Sequence, residues 1–391
     1  MSRRGGGKPR LLVLEGALRE NGGLRVSHSL VREWTREGIP SALLVLENVP
    51  PDVPMFTPSP EISWVYASGK ERRFRSALPY VLAGLWRYSR SADVVISASE
   101  VGWQLLLGRI VTRVLRRPFV TLVQSPLGQA IDDWQPARLR PALRWANRTV
   151  DRAVCVSPGL VHQVVENGLD PAKVTVVAVG IDVEDVVRRG AGAARPVGSP
   201  RRQGPPVFVG MGRLTPAKGF DLLLQASAKL LAEGLDHRIR IIGEGPMRAE
   251  LEATIEELGL RDVVELMGFV PEPQALLAGA DLFVLPSRHE GNGGLVLLEA
   301  LAHGRPIVAA DCETGPRHVL RDGELGDLVP PENPDALAGA LGAFLRDPAP
   351  LRARALGGPL RARDFDQATA ARTLYRYLRE TVPLRGTPPT P

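Results

Sequence analysis

Cysteine is almost missing from this chain of 391 residues: Cys155 and Cys312 are its two examples, far apart in sequence. They build neither a disulfide framework nor a thiolate metal site, which predicts a reducing, cytoplasmic setting. Aromatic residues make up only 5% and are not interleaved with basic ones as base-stacking platforms require, so nucleic acid is not an expected partner. Long apolar runs are missing too. Residues 11–14 stop at Glu15, too short for a signal-peptide core, and the longest aromatic-rich run, 77–86, is about half a membrane span. No bilayer crossing is expected. The histidines at 28, 162, 237, 289, 303 and 318 include no HxxxH or similarly close pair, and Asp364 with Asp366 reads as a helix cap, so no metal site is expected.

Lysine is scarce as well, with 5 residues beside 44 arginines. In such a chain Lys218 marks a place where a compact point charge on a flexible stem is wanted. The net charge of +6 is uneven: residues 1–190 hold 26 Lys and Arg against 18 Asp and Glu, and residues 191–391 hold 23 against 25. The basic half invites an anionic partner, either a membrane surface, as peripheral contact, or an acidic acceptor. The plainer alternative is that these arginines solvate helix faces.

What is present is a strand–helix alternation. Apolar runs at 11–14, 43–46, 93–96, 119–123, 153–156 and 174–178, separated by helical patterns, predict parallel strands covered on both faces. Residues 188–206 turn to Gly, Ala, Pro and Arg and read as a linker, after which a second alternation runs through 207–309. The fold class is α/β, with two Rossmann-like domains, 1–190 and 191–366, and a last helix at about 367–391 joined to the first domain. Two such domains are expected to face each other across a cleft, with ligands outside the carboxyl ends of the strands.

Two stretches carry the chemistry. GMGRLTPAKGFD at 210–221 reads as a strand ending in a glycine-bearing turn that delivers Arg213 and Lys218 just before a helix. Free N–H groups, the helix dipole and two cations make that corner a place to hold phosphate. SRHEGNGGLVLLEALAHGRPIVAAD at 287–311 repeats the plan, with Glu290 in the turn and Glu299 on the helix, so that two carboxylates are expected to face two cations. The competing readings are surface cations for the first pair and a structural hydrogen bond for Glu299. His289 and His303 read as packing or surface residues. Gly22 and Gly23, ahead of a helix expected from 26, form a second anion cradle or simply a tight turn. A dinucleotide motif is disfavoured, because Thr215 stands where a third glycine belongs.

These residues carry a resemblance. GRLTPAKGFDLLL at 212–224, IIGEGP at 241–246, VELMGFVP at 264–271, ADLFVLPSRHEG at 280–291, LLEALAHGRPIVAAD at 297–311 and TGPRHVL at 314–320 resemble the nucleotide-sugar half of family-4 glycosyltransferases of the GT-B fold. The first half is similar more loosely, through Gly22-Gly23, CVSPGL at 155–160 and VGID at 179–182. The resemblance implies a retaining, metal-independent enzyme without a cofactor that moves a sugar from a UDP- or GDP-linked donor to a hydroxyl of a glycan, lipid-linked or natural-product acceptor. It implies a cytoplasmic place, at the inner membrane surface where the acceptor is lipid. Arg213 and Lys218 would grip the donor pyrophosphate, Glu299 the ribose hydroxyls, and Glu290 would lie by the sugar. Gly212, Gly293, Gly294 and Leu295 would also bind donor, Gly268 and Val270 would border the base, and Gly22 and Gly23 would approach the phosphate from the first domain. The chain departs from the family in three places. Eight residues separate Glu290 from Glu299 where seven are usual, Gln124 and Ser125 stand where a histidine is common, and Val179 replaces an asparagine. Gln124 and Ser125 are expected to touch sugar or acceptor. An epimerase on the same fold and a non-catalytic nucleotide-sugar-binding protein are the alternatives.

Overall fold

The computed structural model describes residues 8–18, 22–47, 56–68, 74–132, 134–193, 204–290 and 294–382. The chain divides into two compact units, residues 1–179 with 367–391, and residues 180–366.

The first unit is built on a parallel sheet of β1 (Leu11–Ala17), β2 (Ser41–Glu47), β3 (Trp64–Tyr66), β4 (Val94–Ser97), β5 (Phe119–Val123), β6 (Arg152–Cys155) and β7 (Val174–Val176) in the order β3-β2-β1-β4-β5-β6-β7. Every pairing is parallel. β4 and β5 are buried at every position, the condition that an unbroken apolar run satisfies when helices cover both faces. Helix α1 (Gly22–Arg36) follows β1, α2 (Phe74–Ser91) follows β3, and α3 (Trp103–Leu115) lies between β4 and β5 beside α2. The helix Gln367–Thr381 packs on α1, where the Trp34 indole donates to Ala371 O at 2.9 Å.

The second unit repeats the arrangement. β8 (Val207–Met211), β9 (Arg238–Ile242), β10 (Val264–Gly268), β11 (Leu282–Leu285), β12 (Ile307–Ala310) and β13 (Asp327–Val329) run in the order β10-β9-β8-β11-β12-β13, again all parallel. In each sheet the strand order reverses beside the first strand, between β1 and β4 and between β8 and β11. That is where an open α/β sheet leaves room for a ligand at its carboxyl edge.

The division between units falls before the helix Val183–Gly190, not after it. This helix packs on the helices Gln274–Gly279 and Leu295–Ala302 of the second unit, and a Cβ on Gly190 would lie 2.3 Å from the His303 ring. Asp182 caps it by accepting from Asp185 N at 2.9 Å. The expected linker thus begins as helix, and residues 194–203 of it lie outside the described residues. Among the described residues no helix is long and apolar enough to cross a membrane.

Candidate functional site

At the carboxyl edge of the second sheet, β8 leads into Gly212 and Arg213, a short 3-10 turn spans Pro216–Lys218, and Gly219 opens the helix Phe220–Ala232. Gly219 has φ 63°, and a Cβ there would lie 2.1 Å from Pro286 O, so only glycine lets this corner meet the chain leaving β11. The two loops are stitched together: Arg288 N and His289 N both donate to Ala217 O, at 2.9 and 3.2 Å. The Arg288 guanidinium grips Asp221 with two bonds of 2.8 and 2.7 Å.

This weld brings Lys218 and Glu290 together. The ammonium lies 2.6 Å from Glu290 Oε1, with 22% of the lysine side chain and 4% of the glutamate exposed. Ser287 Oγ donates to the same oxygen at 2.6 Å, and Thr314 Oγ1 donates to the Glu290 carbonyl. The lysine stem packs over Gly212, where a Cβ would lie 3.3 Å from Lys218 Cδ. Arg213 is exposed, and its guanidinium makes no hydrogen bond or ion pair with a described residue. One cation is committed and the other is open.

The rim continues across β9 and β10. Gly243 N donates to Gly268 O at 2.9 Å, and a Cβ on Gly243 would lie 1.9 Å from Gly212 O. Gly268, at φ 72°, and the half-buried Val270 therefore stand on the same edge as Arg213. On the other side Gly294, in the left-handed conformation, caps the helix Leu295–Ala302; Leu297 N and Leu298 N donate to its carbonyl at 2.7 and 3.1 Å. Leu295 is half-buried, and Gly293 lies outside the described residues.

Glu299 does not pair with Arg213 or Lys218. Its Oε2 accepts from Gln274 Nε2 at 3.0 Å, and Gln274 Oε1 lies 2.9 Å from His303 Nε2. Since the amide oxygen only accepts, the His303 Nε2–H donates, and burial, then the charge of Arg305, lowers that imidazole's pKa to about 4 and keeps it neutral at pH 7. Sequence reading left His303 as a packing or surface residue and missed Gln274. Nothing in the local spacing ties position 274 to position 299.

The first unit's edge has different chemistry. Gly22 and Gly23 are the first two residues of α1, not a turn ahead of it. Gln124 Nε2 donates to Ala98 O and, at 3.4 Å, to Gly23 O, and its backbone N donates to Glu100 Oε2 at 3.0 Å. Two carbonyls thus fix the amide's orientation, and Gln124 Oε1 is buried with no hydrogen-bond partner among the described residues. Ser125 Oγ donates to Glu100 Oε1. Burial raises the Glu100 pKa, opposed by these bonds. Burial likewise pushes Glu15 up to about 7, opposed by Ser27 Oγ at 2.8 Å and Gly16 N at 3.0 Å. Neither glutamate was foreseen, although an acid interrupting the apolar run of β1 was a visible signal. Both cysteines are buried, and burial pushes each thiol up to about 12, reinforced by Glu100 at Cys155 and by Glu290 at Cys312.

Two family models match this chain. The one described as Glycosyltransferase Family 4 covers residues 21–185, and the one described as Glycosyl transferases group 1 covers residues 196–356. An exopolysaccharide phosphotransferase of Streptomyces coelicolor is 44% identical over 140 residues, which are 36% of this chain and 15% of that protein. Alpha-D-kanosaminyltransferase of Streptomyces kanamyceticus is 35% identical over 179 residues, 45% of this chain and 46% of that one. The matched region thus spans less than half the length of these curated relatives. The structure of Anabaena HepE in complex with UDP and glucose superimposes with a TM-score of 0.76 at 18% identity, covering 95% of this chain and 99% of that one. This likeness shows the fold, GT-B.

Proposed function

The chain belongs to glycosyltransferase family 4, and from that premise we propose that it transfers a sugar from a UDP- or GDP-linked donor to an acceptor hydroxyl, with retention at the anomeric carbon and no requirement for a metal ion. The observation that carries this reading is the corner after β8, where Lys218 is held 2.6 Å from Glu290 while Arg213 stays open. Cleaving the glycosidic bond leaves negative charge on the outer phosphate oxygen, and preplaced cations lower that barrier. Glu290 orients the ammonium and lies by the sugar ring. The backbone at Gly212, Gly294 and Leu295 completes the anion cradle, and Gly293, outside the described residues, is assigned to the donor with them. Glu299 takes the ribose hydroxyls, Gly268 and Val270 border the base, and Gly22 and Gly23 approach the phosphates. In a front-face displacement the departing phosphate oxygen accepts the proton of the incoming hydroxyl, so no separate base is required.

On this reading the second unit takes the donor and the first unit takes the acceptor, with Gln124 and Ser125 touching acceptor or transferred sugar. The buried acceptor atom Gln124 Oε1 suits a hydroxyl donor. Acceptor classes are a glycan, a lipid-linked saccharide or a natural product, the last in keeping with the name of the kanosaminyl relative. The phosphotransferase relative shares too little of its length to lend its activity. The place of action is the cytoplasm, at the inner membrane surface for a lipid acceptor.

Thermal unfolding with UDP, GDP, ADP and TDP tests the donor half of this reading. One nucleotide, at a hundredfold excess over its Kd, should add about 2.7 kcal/mol of stability. The matching sugar nucleotide should then be consumed with an acceptor and yield a product of unchanged anomeric configuration. Stabilisation by none of the four, with no donor consumed, rejects the proposal.

A further inference from the structure

The aromatic-rich run at 77–86 has no part in the chemistry above, and the fold explains only one side of it. It forms the middle of α2, whose Ala77, Val81 and Leu85 are buried while Tyr80, Leu82 and Trp86 face outward, Tyr80 52% and Trp86 43% exposed. α3 packs beside α2 and turns Ile110 and Val114 outward, Val114 65% exposed. Scattered exposed apolar residues are ordinary, but six large ones on two neighbouring helices, Leu78 included, are not.

The charge on the same helices is of one sign. Residues 72–92 and 101–131 contain no Asp or Glu. Arg87, Arg90, Arg113 and Arg116 are exposed, and none makes an ion pair with a described residue. Many arginines of the second unit are matched instead: Arg240, Arg248, Arg261, Arg317 and Arg354 each meet a carboxylate. The α2–α3 face therefore combines aliphatic bulk, a Trp and a Tyr with guanidinium groups that meet no carboxylate among the described residues. That composition suits the boundary of an anionic bilayer, where indole and phenol rings settle at headgroup depth and arginines meet phosphates. A second copy of this chain is a poor occupant, because a two-fold contact would set these arginines against themselves with no acid between them.

We infer that the α2–α3 face docks on an anionic lipid surface, with Leu82, Trp86 and Val114 entering the headgroup region and Arg87, Arg90, Arg113 and Arg116 meeting lipid phosphates. The helices lie on the surface and do not cross it. The docking stands without the transfer reaction; that it presents the enzyme to a lipid-borne acceptor rests on the proposed function.

Flotation of the full chain with vesicles tests this, without sugar nucleotide. The protein should float with phosphatidylcholine–phosphatidylglycerol vesicles, not with pure phosphatidylcholine, and less at high salt. Arg87→Ser with Arg90→Ser should weaken partition about 30-fold, and Leu82→Ser with Trp86→Ser at least about tenfold, while unchanged circular dichroism shows that both variants fold. Failure to float on anionic vesicles overturns the inference, as does flotation that both variants retain in full. A dimer by light scattering that Leu82→Ser with Trp86→Ser dissolves overturns it in favour of self-association. Flotation without sugar transfer would sink only the proposed function, and transfer to a soluble acceptor without flotation would sink only the docking.

Discussion

The carboxyl edges of the two sheets share a topology and differ in chemistry. In the second unit two acids there are matched to cations, Glu290 to Lys218 and Asp221 to Arg288, while Glu299 meets the Gln274 amide. In the first unit Glu15 and Glu100 are held by hydroxyls and backbone N–H groups, with burial favouring their neutral forms. On the proposed function, the first of these edges would receive an anion that gains charge as it leaves, and the other the neutral hydrogen-bonding groups of a hydroxyl-bearing acceptor. The difference arises from where a cation stands within reach, not from the fold.

Kinetics of the cation variants would strain this contrast most. Lys218→Ala or Arg213→Ala should each lower kcat by about 10²–10³, roughly 3–4 kcal/mol of transition-state stabilisation, as loss of an oxyanion donor does. Their stabilities should part company. Lys218→Ala leaves the buried Glu290 without its cation and should cost roughly 2–3 kcal/mol, whereas Arg213→Ala on the exposed corner should stay within about 0.5 kcal/mol in a denaturant titration.

The next effect is in pH dependence, where the two edges should move in opposite directions. Glu15 has its folded pKa raised from 4.5 to about 7 by burial. Its contribution is therefore fully present below pH 4.5 and lost as pH rises through about 7, a loss of about 3 kcal/mol at most. Glu15→Gln should flatten that slope. Asp221 has burial raising its pKa, but the Arg288 hydrogen bonds and charge together outweigh it and lower the value. Its contribution is present above pH 3.8 and lost as pH falls through the depressed folded value. Asp221→Asn should remove sensitivity on the acid side only.

A smaller effect concerns the chain from His303 through Gln274 to Glu299. Gln274→Leu removes one of the bonds that hold Glu299, and should weaken binding of the stabilising ribonucleotide about tenfold while leaving its 2′-deoxy counterpart nearly unchanged. Equal weakening of both nucleotides would make the chain a packing feature only.

The sequence showed most of what repeats. Strands buried on both faces must be apolar throughout, so β4, β5 and β11 were readable as runs. The short β3 and β13 were not, because three residues, at most one of them buried, leave no periodicity to read. α1 began at Gly22, earlier than the glycine pair led us to expect, since low helix propensity matters little in a first turn whose N–H groups lack helical partners anyway. Lys218 stood out by the scarcity of its kind, and its meeting with Glu290 follows from neighbouring strand ends. The Gln274–Glu299 bond and the ties around Glu100 join residues far apart in sequence, and only the packed fold brings them into contact.

Calorimetric titration of the nucleoside diphosphate into the wild type, Arg213→Ala and Lys218→Ala tests the central claim most directly. The account predicts a single site whose affinity falls by about tenfold or more in each variant, the loss expected for a charged hydrogen bond to phosphate. Equal affinity in all three proteins would contradict it.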